Sequence, residues 1–288
     1  MPLLTTQAGV FRAPAGSGYT GLGDIVSGAL FYWGLRAYNA AKATAGADCI
    51  DIVDNAGSFT ATLGVQSDGN LNVTVIKAGA LAGSSLATWV SAHGTAYVHK
   101  VYDQIGSYHA TSVAVGPELD MTLHGGKGGF KFTSGAALVT SATMTQAQPY
   151  SAATVAARTG STAGNDGILG TDSAYPCLLA YDSGVDKLGL YLGSANVAIN
   201  GVTEGTSHAV QWICNGTSTI VNFDGTDSGV NFSTSNPGAA TITGSKLWMA
   251  DRAGGGLTGR IAEICMWSGV TSYNSAIKAN QKTWWGTP

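Results

Sequence analysis

The chain has 288 residues, of which 41 are glycine; 44% are apolar and only 11% are charged. A chain this apolar can bury enough surface to offset ordering entropy, which excludes a charge-rich disordered tail, and glycines without a three-residue period exclude collagen. A net charge of −3 with 14 scattered basic residues argues against nucleic acid as the partner, and no apolar run approaches the ~18 residues that a membrane-spanning helix needs.

The first 24 residues lack periodicity and are rich in Gly, Ala and Thr. They are expected to form an arm that orders on a partner surface, with Phe11 and Arg12 as candidate partner-binding residues. One charge, Arg12, and no apolar h-region give no sign of a secretory signal. From Ser27 the spacing predicts a helix, with Ser27 as cap, Leu30, Trp33, Ala37 and Ala41 along one side, and Gly46 at its end. Two further helices are expected over Ser85–Ala92 and Ser272–Lys282.

The rest has the rhythm of strands: 97–102, then Ser151–Ala157, Cys177–Tyr181, Leu188–Leu192, His208–Cys214, Thr217–Phe223, Leu247–Ala250 and Arg260–Trp267. Turn residues separate several of them: Asp182-Ser183-Gly184, Asn200-Gly201, Asn215-Gly216 and Asp224-Gly225. Asn-Gly and Asp-Gly supply the positive φ that tight hairpins require. Many short strands with helices only near the ends predict an all-β antiparallel sandwich, carried by one domain over 25–288 behind the arm of 1–24.

Cys49, Cys177, Cys214 and Cys265 are far apart and form no Cys-x-x-Cys pair. Buried free thiols are the expectation, with a Cys214–Cys265 bridge open if their strands are neighbours. Five histidines show no ligand spacing, so no metal site is expected. Calcium, which takes roughly six to eight oxygens, has only the 165–172 loop as a source. Gly254-Gly255-Gly256-Leu257-Thr258-Gly259 spells a dinucleotide fingerprint, but a strand pattern follows where a helix is needed, so it reads as a loop.

Two stretches carry resemblances. His208–Gly216, Val221–Gly225 and Gly259–Trp267 resemble strands of laminin-G-like domains, within the concanavalin A-like lectin/glucanase jelly rolls. Gly34–Tyr38, Asp48–Ile52 and Val101–Gln104 resemble the N-terminal part of the fungal-type α-L-arabinofuranosidase B catalytic domain. This resemblance implies a jelly roll with an N-terminal helix packed on it. It departs from the family twice. Ile105-Gly106-Ser107-Tyr108 follows the Tyr-Asp-Gln where the family has Ser-Gly-x-Gly, and Leu188 stands where the family has its nucleophilic glutamate. Retaining glycosidases need two carboxyl groups about 5–5.5 Å apart, and a leucine cannot attack an anomeric carbon.

Among the acids, Glu263 shares a strand face with Ile261, Cys265 and Trp267 and is expected to be a satisfied structural carboxylate near the rim. Asp182, Asp186 and Asp224 read as solvated turn carboxylates. Asp103 at a strand end, with Gln104 and His109, forms the candidate ligand-binding set. Most tryptophans fall at core positions of strands. The adjacent Trp284 and Trp285 are candidates for clamping the C-terminal region onto the body or a neighbouring subunit.

Gly23–Ala29, ahead of Gly34–Tyr38, resembles the opening of phage and prophage proteins that carry this domain. That resemblance implies a non-enzymatic structural or adhesion protein of a tailed bacteriophage particle, on capsid or tail. Such a protein would be oligomeric, joined to other virion proteins through the arm, and able to bind host glycans. A glycoside hydrolase acting on arabinofuranosides is the alternative. No cofactor and no membrane partner are expected.

Overall fold

The computed structural model describes residues 18–133, 135–160, 166–172, 176–181, 187–192, 195–200, 202–228, 241–250, 256–270 and 272–288. A one-turn helix α1 (Leu22–Ile25) leads into β1 (Ala29–Gly34), α2 (Ala40–Ala45), β2 (Asp48–Val53), β3 (Thr60–Gly64), β4 (Ala78–Gly79), α3 (Leu86–His93) and β5 (Tyr97–Val101). Next come β6 (Ala110–Ser112), β7 (Glu118–Asp120), β8 (Gly129–Phe132), β9 (Leu138–Gln146) and β10 (Tyr150–Arg158). They are followed by β11 (Asp166–Thr171), β12 (Pro176–Tyr181), β13 (Lys187–Leu192), β14 (Ala195–Asn200) and β15 (His208–Cys214). β16 (Ile220–Phe223), β17 (Thr226–Ser228), β18 (Ile242–Met249), β19 (Gly259–Ser268) and the closing helix α4 (Ser275–Trp285) complete the chain.

Every pairing between these strands is antiparallel, and the curled sheet they form is an all-β sandwich. One layer runs β1-β19-β10-β15-β16-β17. From β19 the hydrogen bonding continues through β8, β7 and β5 to β6, β9 and β18, which carry the chain into the facing layer.

The first layer is covered on both faces. Phe31, Trp33, Ala152, Trp212, Ile264 and Met266 join the sandwich core, while Tyr32, Ala153, Cys265 and Trp267 pack with Leu22 of α1 and Ile277 of α4. Burial on both sides explains why every residue of β10 and β15 is buried, where a half-solvated strand would alternate. The small side chains of β10 make room for large neighbours in register: Ser151 lies opposite Trp267, and Ala152 lies opposite Met266 and Trp212.

The helix predicted from Ser27 is corrected. Ala29–Gly34 is a strand, and the helix is confined to Ala40–Ala45, capped by the Asn39 side chain and ended by Gly46 at φ +61°. Leu-Phe-Tyr-Trp in sequence has aromatic, β-favouring side chains on both faces, as a doubly covered strand requires. Gly34 is needed there, because a Cβ would lie 2.5 Å from the Tyr32 hydroxyl and 2.9 Å from the Glu263 Cβ. The expected helix at Ser85 is present as α3, capped by Ser85. The C-terminal one begins three residues later than Ser272, at Ser275 under an Asn274 cap.

The arm is shorter than expected. Tyr19 and Leu22 are buried in the body, and Asp24 accepts from the backbone N–H groups of Gly21 and Ala40. Phe11 and Arg12 lie outside the described residues. Cys49, Cys214 and Cys265 are buried free thiols. The Cys214–Cys265 bridge is excluded by register: β10 lies between their strands, with Tyr150 opposite Cys214 and Ala153 opposite Cys265.

Candidate functional site

The structure gathers Asp103, Gln104 and His109 in one tight turn after β5, where they hold the fold. Asp103 Oδ1 accepts from the backbone N–H of Tyr32 and Ile105, and its Oδ2 from Gly106 and Tyr108. Gln104 ties Tyr38 N–H and the Arg36 carbonyl together at 2.8 Å each. Both side chains are buried. His109 Nδ1 accepts from Asp103 N at 3.0 Å, which leaves the ring proton on Nε2. Burial, then Lys100, pull its pKa below the usual histidine value, with Asp103 opposing. The partly exposed His109 ring is the one member of the set that solvent reaches.

Glu263 is not at a rim. It is fully buried in the middle of β19 and receives Arg36 in a bidentate pair, Nε to Oε2 at 2.7 Å and Nη2 to Oε1 at 2.8 Å. The Tyr32 hydroxyl and Gln281 Nε2 donate to the same carboxylate at 2.9 and 3.1 Å. Burial disfavours the Arg36 charge, but Glu263, Tyr19 and Tyr32 together more than offset this and raise its pKa above the usual arginine value. One β-strand, β1, its following loop and α4 are thereby fastened to β19 through four side chains.

Arg36 also lies under the end of α4, with its guanidinium carbon 5.4 Å from the Trp284 ring centre and 5.6 Å from that of Trp285. Trp285 is buried and Trp284 is partly exposed. Both adjacent indoles turn onto the body because they occupy the last turn of a helix, where neighbouring side chains diverge by about 100°. Tyr19 packs edge-on against Trp284 at 5.1 Å. Lys127 approaches Trp284 with its ammonium 4.2 Å from the ring centre, and donates to Asn70 Oδ1 at 2.8 Å.

These contacts border a cleft of about 570 Å³, lined by His124, Gly125, Lys127, Thr206, Ser207, Thr283, Trp284, Trp285, Gly286 and Pro288. Its size falls within the ~300–1,000 Å³ of ordinary ligand sites. Two smaller hollows adjoin it. One shares Thr283 and Trp284 with it and adds Tyr19, Asp68 and Asn280; the other shares Gly125 and Lys127 and adds Gln66, Asn70 and Met121. The result is a groove running past Trp284 and Lys127. Its near wall is a left-handed turn, with positive φ at His124, Gly125, Gly126 and Gly128. The His124 ring meets Trp285 edge-on at 5.4 Å, and burial pulls its pKa down to about 4.

Sequence reasoning found Trp284 and Trp285 but missed Lys127, Thr206, Ser207 and Thr283. A lone lysine inside His124-Gly125-Gly126-Lys127-Gly128-Gly129 was the available signal, since such glycine density marks a backbone held in an unusual course. The hydroxyl residues carry no comparable mark.

Leu188 is a buried core residue on β13. Asp224 is corrected from a solvated turn acid: it takes His208 Nδ1 at 2.6 Å and Ala209 N–H at 2.9 Å, both half-buried or deeper. Asp182 and Asp186 lie outside the described residues, as do Gly254 and Gly255. The glycine run leads into strand β19, not into a helix. Among the described residues no cluster of three or more His, Cys, Asp or Glu could hold a metal ion, and no helix is long and apolar enough to cross a membrane.

No family model matches this chain, and no curated protein does. Among solved structures, Trypanosoma rangeli sialidase in complex with sialic acid is similar at a TM-score of 0.45 and 13% identity, over 64% of this chain and 30% of that one. The botulinum neurotoxin serotype D ligand binding domain in complex with N-acetylneuraminic acid gives a TM-score of 0.42 at 10% identity, over 65% of this chain and 51% of the other. The binding domain of botulinum neurotoxin DC gives 0.43 at 10% identity, over 67% and 52%. This chain therefore spans between about a third and a half of these structures, and likeness at this level transfers no residue of a site.

Proposed function

We propose that this chain is a non-enzymatic adhesion module that recognises glycans in the groove beside Trp284. The observation that carries the reading is the composition of the cleft wall: indole rings, three hydroxyl side chains and one ammonium, with no carboxylate. Aromatic and apolar surface suits the C–H face of a sugar, while hydroxyl and ammonium groups match its hydroxyls. Hydrolysis finds less support. Asp103 is consumed by four backbone donors, Glu263 is locked to Arg36, and Leu188 stands at the nucleophile position. A glycan array probed with the protein at about 10–100 μM tests this. Binding that a Thr206→Val/Ser207→Ala double variant loses is expected. Absence of binding to every glycan, or release of sugar from a chromogenic arabinofuranoside, would overturn it.

The finer reading places the module on the particle of a tailed bacteriophage, as a capsid-decorating or tail-associated oligomer. It rests on the Gly23–Ala29 resemblance and on the small, uncharged composition. Because Tyr19 and Leu22 belong to the body, an arm deletion must stop at Ser17. Removing residues 1–17 should leave a folded domain that no longer incorporates into particles; normal incorporation would refute the arm's role.

A further inference from the structure

We infer, building on the glycan-recognition reading, that the groove selects sugars bearing an oxyanion, a carboxylate or a sulfate ester, with Lys127 as the charge partner. Three observations converge on this. First, no carboxylate lies within ion-pair distance of the Lys127 ammonium among the described residues; its contacts are Asn70 Oδ1 and the face of Trp284. An ammonium so placed has no ion-pair partner at the mouth of a recess, where low-dielectric walls focus its field. Second, none of the ten residues lining the main cleft has a carboxylate side chain, and Asp68 of the adjoining hollow is occupied by the backbone and side-chain N–H groups of Asn70. Third, the wall holds donors without acceptors: the indole Nε1 of Trp284 and that of Trp285 are both buried with no hydrogen-bond partner. A buried donor left unpaired is unfavourable, and a carboxylate, with roughly four lone-pair sites, is an acceptor-rich group suited to relieve it.

Arg36 contributes from behind. Its guanidinium lies within 5.6 Å of both indole centres, yet its bond to Glu263 fixes it there and balances its charge. Of the two cations beside Trp284, 5.4 and 4.2 Å from its ring centre, Lys127 is therefore the one whose charge no ion pair balances among the described residues.

The test is calorimetric titration with three oligosaccharides of equal length: neutral galacto-oligosaccharide, oligogalacturonate and sulfated galacto-oligosaccharide. At low salt either anionic ligand is expected to bind at least ~10-fold more tightly than the neutral one, the size of one well-placed ionic contact. That advantage should shrink as salt rises, disappear in Lys127→Gln and survive in Lys127→Arg. Lys127 is partly exposed, so a thermal melt of each variant confirms the fold. The response of the two anions separates carboxylate from sulfate recognition. Equal binding of neutral and anionic ligands, or a preference that persists in Lys127→Gln, overturns the anion selectivity while glycan recognition stands. Absence of binding by all three, together with a blank glycan array, removes both.

Discussion

Glu263 and Arg36 are both 0% exposed, and each would be expensive to bury alone. Glu263→Gln preserves shape and some hydrogen bonds but strands a guanidinium between β19 and two indoles. The expected loss is about 3–5 kcal/mol, read as a lower urea midpoint with an unchanged slope; a midpoint equal to wild type would show that the pair adds no stability. The sequence put Glu263 on a face with Ile261, Cys265 and Trp267; Cys265 and Trp267 do pack against α1 and α4, but a register shift in the pairing with β10 places Ile261 in the sandwich core instead. It did not show burial in the centre of the molecule, because the covering helix and the arginine come from positions 18 and 227 residues away. Asp103 was placed at a strand end but in a candidate ligand-binding set, whereas its carboxylate is taken up by four backbone amides, three of them from the turn that follows.

At the scale of single elements, α4 matters most, since it covers the second face of the β1-β19-β10-β15 layer and borders the groove. Ile277, Gln281 and Trp285 repeat every four residues and form its buried face. Its first turn depends on Asn274, whose side chain accepts from Ala276 N–H at 2.9 Å while its own N–H reaches Gln211. Asn274→Ala should cost about 1 kcal/mol and Asn274→Asp far less, a difference that thermal denaturation of the two variants resolves. The strands His208–Cys214 and Arg260–Trp267 were legible almost to the residue because continuous apolar runs closed by Asn-Gly or Ser-Gly admit few alternatives. β1 was not. Leu30, Trp33 and Ala37 happen to fall at helical spacing, and only the second covering layer explains why the intervening Phe31 and Tyr32 are also buried. Short elements such as β6 and β7 take their form from being paired on both sides, β6 between β5 and β9 and β7 between β5 and β8, which no local pattern encodes.

Across the whole molecule, acid should weaken the fold in a defined window. His124 is held near a pKa of about 4 by burial, with Arg260 adding to the effect and Glu263 opposing it. In the unfolded chain it takes a proton near pH 6.5. Between those values the unfolded state binds the extra proton, so stability falls as pH drops, by about 3 kcal/mol in all, and levels off below the folded value. His109 shifts in the same direction. Unfolding free energy measured from pH ~7 to ~4.5 should decline, with a shallower slope in His124→Gln; an unchanged slope would remove His124 as a cause. The sandwich class was legible from strand rhythm and turn chemistry, whereas the groove was not, since it assembles residues from 18 to 288. The three sheltered sulfhydryls carry a practical corollary. Burial raises the pKa of Cys49 and Cys265 far above neutrality, and Cys214 is equally enclosed. Alkylating reagents can therefore reach these three only when the layers part, so the rate of their modification in buffer, followed by peptide mapping, would serve as a built-in clock for how often this body opens.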